Sequence, residues 1–326
     1  MSDIDPDEAG IARVLRAAGG RAQPAEEMKA AVRAAVHAEW RRTVARRHRR
    51  RVYLALAASL AMAALAVWIG RAYFAPSHEV VANVSRIVGT AQVRSGRFGR
   101  WHVVAAPLHV GEALETGADG RVALQLRDGV SVRLDHDTRI AFVDPERIDV
   151  KSGAVYVDAG ATPQHSEHLR VGTPAGIVQH VGTQYEARIM RDGTRIRVRE
   201  GRVALVPEKG GAAQSAAVGE QLLVTTSGEI QRDAISPSDE DWSWAAQAAP
   251  PFDIDGRPVR EFLTWVGREL GREIVYTTPA AEMEADRAVL SGSVGDLGPA
   301  DALAAVLPTT QLRSIERDGR IEISLQ

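Results

Sequence analysis

The chain contains no cysteine. That excludes disulfides, thiolate nucleophiles, zinc ribbons and iron–sulfur clusters. Aromatic residues make up only 5% of it, so any core must be built on Val, Leu, Ile and Ala. Motifs of common chemistry are also missing. There is no His-Glu-x-x-His, no phosphate loop, no Gly-x-Ser-x-Gly and no dinucleotide fingerprint. Charge is absent from one long stretch, residues 52–70. The remainder is ordinary for folded protein: 45% hydrophobic and 25% charged. Wholesale disorder is thereby excluded. A length of 326 residues suits two domains, and 29 Gly with 15 Pro point to many turns and β structure.

The charges are unevenly placed. Residues 1–51 hold 12 basic and 7 acidic side chains, while residues 71–326 hold 28 and 35. Between the basic head and the acidic body lies VYLALAASLAMAALAVWIG. As a helix it rises roughly 28 Å, close to the ~30 Å hydrocarbon core of a bilayer. Tyr53, Trp68 and Tyr73 stand near its ends, where amphipathic rings favour the interface. Arg41, Arg42, Arg46, Arg47, Arg49, Arg50 and Arg51 precede it and Arg71 alone follows closely, so the N-terminus is expected in the cytoplasm. A buried core helix would carry a polar face. A cleaved signal peptide would begin earlier and be shorter. Arg50-Arg51-Val52-Tyr53-Leu54 loosely resembles a twin-arginine export signal, which an uncleaved anchor can carry equally well.

In the head, residues 7–19 and 24–48 read as two helices, with Gly19-Gly20 as a stop and Pro24 at the next start. Met28, Val32, Val36 and Trp40 recur every four residues beside Ala31 and Ala35, forming an apolar stripe. Fifty residues seldom bury enough surface to be stable alone. The stripe therefore calls for a partner, unless the helix is a solvated basic segment that only orients the anchor. Topology and anionic lipid account for the arginine run, so no direct nucleic-acid partner is expected.

From Val80 to about Val224 the pattern alternates with period two. Val122, Leu124 and Leu126 precede Asp128-Gly129 and Val130, Val132 and Leu134, which predicts a hairpin with a two-residue turn. Asp192-Gly193 separates Tyr185, Ala187 and Ile189 from Ile196 and Val198, with Arg195, Arg197 and Arg199 on the opposite face. A β-sandwich or jelly-roll-like double sheet is expected over residues 80–235. Residues 71–79, with Pro76, Ser77 and His78, form the joint to the anchor. Residues 236–251 read as a linker in which Trp242 and Trp244 can pack on either neighbour. Residues 252–326 read as a small α+β domain of two βαβ-like units that folds independently. Its strands are expected at Phe252-Asp253-Ile254, at residues 273–277 and near Val289-Leu290. Val259, Phe262, Leu263, Val266 and Leu270 mark one helix face ended by Gly271, and a second helix runs from Pro299 to Leu307. A hairpin closes the chain around Asp318-Gly319.

No cluster points to catalysis, a cofactor or a metal. His165-Ser166-Glu167-His168 is the most metal-like sequence, but two His three apart need further ligands. Asp135, His136 and Asp137 read as polar groups of a turn, and Ser131 and Thr183 lack the neighbours of a nucleophile.

Several segments of the β region carry a resemblance. Thr173-Pro174-Ala175-Gly176, Gly182-Thr183-Gln184-Tyr185 and Val198-Arg199-Glu200-Gly201-Arg202-Val203 resemble the signature of the FecR family. Val88-Gly89-Thr90-Ala91 and Val218-Gly219-Glu220-Gln221-Leu222 fit the same pattern, while Tyr185 stands where that family often has Phe. Gly176, Gly182 and Gly201 then read as scaffold residues at turns or bulges. With Phe252-Asp253-Ile254 followed by Val259 and Leu263, Gly271 before Ile274-Val275-Tyr276, Ser291-Gly292, and Ala302-Leu303 before Leu307, the terminal domain resembles the short N-terminal domain shared by secretins and TonB-dependent receptors. The resemblance implies a single-pass inner-membrane regulator of an extracytoplasmic-function sigma factor, held on the cytoplasmic side. It also implies the signalling domain of an outer-membrane receptor as a periplasmic partner. The competing expectation is a membrane-tethered periplasmic module that grips a secretin, a receptor or a wall component.

Overall fold

The computed structural model describes residues 6–19, 25–73, 79–96, 99–160, 169–208, 210–295 and 297–326. The chain divides into two compact units, Met1–Phe74 and Ala75–Gln326.

The first unit holds the helix Pro6–Ala17 and one helix of 48 residues, Glu26–Tyr73. The two segments expected as a head helix and a separate span are therefore continuous. The physical reason lies in the sequence, since no Gly or Pro occurs between Glu26 and Ile69. Glu26 and Glu27 sit in the first turn, where negative charge suits the helix dipole. Gly20, Pro24 and the joint residues Pro76, Ser77 and His78 lie outside the described residues. Among the described residues no helix is long and apolar enough to cross a membrane. The side chains at 51–52 and 69–73, which bound the apolar run, are not among them.

In the second unit, sixteen strands among the described residues, from Val80–Val88 to Ile230–Ala234, form one hydrogen-bonded sheet. This differs from the two separate sheets expected. Two 14-residue strands, Gly176–Ile189 and Gly193–Val206, cause the difference. Along one edge, the first strand pairs with Arg170–Thr173 and then with Ala154–Asp158. Its partner pairs with Gln214–Ala217 and then with Glu220–Thr225. Both exchanges occur where the register between the long strands shifts, between Val181 and Gln184. Gly182 (φ 55°) and Gly201 (φ 76°) lie at that shift, in backbone that a Cβ disfavours. The bulge bends the strand pair without breaking it, so one sheet curls over its own core.

The hairpins follow the alternating pattern. Val122 opposes Leu134 and Leu124 opposes Val132. The connection is a three-residue loop rather than the two-residue turn expected. Gly129 donates to the Leu126 carbonyl, Leu126 donates to that of Val130, and the Asp128 carboxylate accepts from the Val130 N–H. At the second hairpin the turn falls on Arg191-Asp192, because Met190 N–H donates to the Gly193 carbonyl.

Among the buried polar residues His180 lies against the apolar core. The His180 ring is 2% exposed, tilted against the Tyr185 ring at 5.6 Å, and among the described residues neither ring nitrogen has a hydrogen-bond partner. Burial pushes its pKa down to about 4. The unfolded chain takes up this proton near pH 6.5, whereas the folded chain resists until about pH 4. Stability is therefore complete above pH 6.5 and falls by roughly 3 kcal/mol towards pH 4. Denaturant titrations at pH 7.5 and 4.5 should show this loss, and His180→Phe should remove most of it.

The terminal strands are Glu273–Tyr276, Leu312–Arg317 and Arg320–Leu325. The first runs parallel to the last, which pairs antiparallel with Leu312–Arg317. Helices Val259–Leu270, Pro279–Arg287 and Pro299–Val306 cover this small sheet. Two expected strands are not regular ones. Phe252-Asp253-Ile254 is irregular, and Val289 makes only an isolated bridge to Pro258. Two backbone bonds, Gly256 N–H to Leu290 and Leu290 N–H to Arg257, replace the ladder. Val259, Phe262, Leu263 and Val266 are fully buried, as their spacing predicts, and Gly271 caps the helix in left-handed backbone.

Candidate functional site

Two regions present side chains suited to protein contact. The first is the head. Met28, Val32, Val36 and Trp40 share one face of the helix Glu26–Tyr73 and are 59–62% exposed. The first three line a groove of about 440 Å³ together with Lys29, Arg33 and His37. Trp40 packs edge-on against His37, with ring centroids 6.4 Å apart. Ile11, Val14 and Leu15 on the first helix are similarly exposed. Sequence reading marked that helix without naming this face, although the i, i+3, i+4 spacing was available.

The second region is the bend of the β sheet and what lies on it. The family-motif residues fall at two places. Thr173 and Gly176 close a tight hairpin around Pro174-Ala175, where the Thr173 hydroxyl donates to the Gly176 carbonyl at 2.8 Å. At the bulge, Gly182, Thr183 and Gln184 face Glu200 and Gly201 across the long strands. The Thr183 carbonyl accepts from Ala159 N–H at 3.0 Å. Tyr185 is fully buried in the apolar core, and burial pushes its phenol pKa up. Of these residues Glu200 also reaches the terminal unit, its carboxylate accepting from Arg268 at 2.6 Å.

The arginine face is covered. Residues 236–251, read as a linker, form a 3-10 turn at Glu240–Trp242 and a short helix Ser243–Gln247 that pack onto the sheet. Trp242 and Trp244 stand edge-on to Tyr156, at 6.0 and 6.4 Å between centroids. Arg197 donates to Asp241 at 2.9 Å and to Asp239 at 3.1 Å, and its guanidinium lies 4.8 Å from the Trp242 ring. Arg199 donates to the Pro237 carbonyl at 2.8 Å and to that of Glu269 at 2.9 Å. Glu186, fully buried, accepts from Arg195, Arg188 and the Trp244 indole.

At the centre, Arg133 holds Glu269 through two bonds of 2.6 and 2.7 Å, with side chains 1% and 6% exposed. Beside them Arg268 donates to Asp158 at 2.5 Å. Burial works against the Asp158 charge, but Arg268, Arg133 and Gln184 together outweigh it and hold the carboxyl below the usual range. Gly271 completes the contact, since a Cβ there would lie 2.2 Å from the Pro237 carbonyl oxygen. Sequence reading missed Glu269. Its spacing from Phe262 and Val266, seven and three residues, places it on the buried helix face.

The proposed polar clusters part company here. Asp135 is buried and accepts from Arg121 and Arg188, while His165, Ser166, Glu167 and His168 lie outside the described residues. Among the described residues no group of three or more His, Asp or Glu is arranged to hold a metal.

Residues 112–204 match the family model described as FecR protein. No curated protein matches the chain. Two crystal structures of a candidate anti-sigma factor from Parabacteroides distasonis are similar, each at 17% identity over 66% of this chain. They are covered over 98% and 99% of their own lengths, with TM-scores of 0.35 and 0.36. A structure of a cell surface anchoring domain matches at 25% identity over 20% of this chain and 88% of its own, with a TM-score of 0.19.

Proposed function

We propose, from the match of residues 112–204 to the FecR family model, that the chain is a FecR-family protein that regulates an extracytoplasmic-function sigma factor from the inner membrane. The observation that carries this reading is the uncovered apolar face Met28, Val32, Val36 and Trp40, on the basic side of an uncharged run. A cytoplasmic protein covers that face. The run 52–70 anchors the chain, and the β body with its terminal unit lies in the periplasm. A signal received there, including one from a receptor's signalling domain, reaches the head through the anchor. Regulation proceeds by association and release, without catalysis.

A reporter active only outside the cytoplasm should be active when fused after Gln326 and silent when fused at Arg47. The full-length chain extracted in detergent should then bring down a sigma factor. The reversed reporter pattern overturns the topology. A second reading, a periplasmic binding module on a passive tether, is favoured by a groove of about 580 Å³ in the terminal unit, lined in part by Val289, Val294 and Leu297. Capture of envelope proteins alone would support it.

A further inference from the structure

The terminal unit is attached to the β body in an unusual way for parts of one compact unit. Its apolar cluster runs from Ile254 to Ile323 and takes in no residue of the β body. The β core and the Trp242–Trp244–Tyr156 cluster are likewise self-contained. Charged and polar groups make the described bonds across the joint. Arg133 meets Glu269, Arg268 meets Asp158 and Glu200, and Arg199 caps the last turn of the helix Val259–Leu270.

An apolar joint loses the hydrophobic term when it opens. This one differs, because both members of each ion pair return to water together and recover their desolvation cost. Two polar atoms beside the joint, Arg133 Nε and the Tyr156 hydroxyl, have no hydrogen-bond partner among the described residues when it is closed. Any of these that opening exposes gains water. The tether is short. Ala249 is buried, with its carbonyl accepting from Arg86 at 3.0 Å, and Phe252 already packs on the terminal cluster. Only Pro250 and Pro251 lie between, so a released unit stays close and redocks readily.

We propose that this joint is a two-position latch: the terminal unit leaves the β body as a folded whole, pivoting at Pro250-Pro251, when the Glu269–Arg133 and Arg268–Asp158 pairs separate. The inference concerns the body alone and does not rest on the sigma-factor reading.

Because the chain lacks cysteine, spin labels can be placed at Val103→Cys and Met283→Cys, both exposed and one on each side of the joint. Pulsed electron resonance on the full chain in lipid nanodiscs then reads the distance between them. The parent should give one dominant narrow distance. Glu269→Gln with Asp158→Asn should raise a second, broader population at least tenfold, with circular dichroism and both apolar cores retained. Arg133→Met with Glu269→Leu should restore the single narrow distance, because apolar partners of similar size need no charge to stay docked. Arg268→Gln, at the half-buried rim, should give an intermediate second population, and it decides the matter if the first variant does not fold. An unchanged distribution in the charge variants overturns the latch. So does loss of the terminal fold whenever the distance lengthens, since the joint would then be part of one indivisible core.

Discussion

Replacing Trp242 by alanine is expected to lower the stability of the body by about 3–5 kcal/mol, the range for removing a large buried aromatic. The indole is 1% exposed and donates to the Ser236 carbonyl at 3.0 Å. It stands on Tyr156 and lies under the guanidinium groups of Arg197 and Arg199. Truncation leaves a void that those arginines cannot fill without breaking their bonds to Asp239, Asp241 and Pro237. Tyr156 would then meet solvent, and its phenol, now pushed up to about 12 by burial, should move back towards 10. Denaturant titration of the full chain in detergent, followed by near-ultraviolet circular dichroism, measures the first effect. A loss below about 1 kcal/mol would mean that the connector is not integral to the fold.

The second large effect is expected in the head. Trp40→Ala should weaken partner binding by roughly 2 kcal/mol or more, about thirtyfold, if the indole is an anchor of the interface. Folding should not confound the measurement. Trp40 is exposed, and alanine is the strongest helix former, so the helix Glu26–Tyr73 should persist in far-ultraviolet circular dichroism. Val36→Asp places a charge on the same face one turn earlier and should be at least as damaging. Titration of the nanodisc-held chain with its captured sigma factor provides the reading. Unchanged affinity in both variants would favour the passive tether.

Local patterns were legible in the sequence to the extent that one element decides them. Alternation at Val122, Leu124, Val132 and Leu134 announced a hairpin, and the spacing of Val259, Phe262, Leu263 and Val266 announced a buried helix face. The long head helix was legible in principle from its lack of breakers, but a change of composition at residue 52 reads as a boundary where the backbone has none. The curl of the sheet was not legible, because it depends on which neighbours a 14-residue strand exchanges at its bulge. Nor was the joint. Arg195, Arg197 and Arg199 declared a polar face, but a polar face reads as a wet one. Only the tertiary fold brings Trp242, Asp241 and the end of the helix Val259–Leu270 onto it. The same applies to Glu200, which looks like a motif residue of the scaffold and is also the carboxylate that meets Arg268.

The unbroken helix Glu26–Tyr73 acts as a shaft. At 1.5 Å per residue its length is about 72 Å, with no joint at which one part can idle while another turns. The direction faced by Met28, Val32, Val36 and Trp40 is therefore geared to the azimuth of the apolar run below them. Two residues inserted between the stripe and that run would swing the stripe by roughly 200°, to the far side of the axis, whereas four would return it to within roughly 40° of its original bearing. Were a message sent along this element, it would travel as torque or as piston movement, with the stripe in phase.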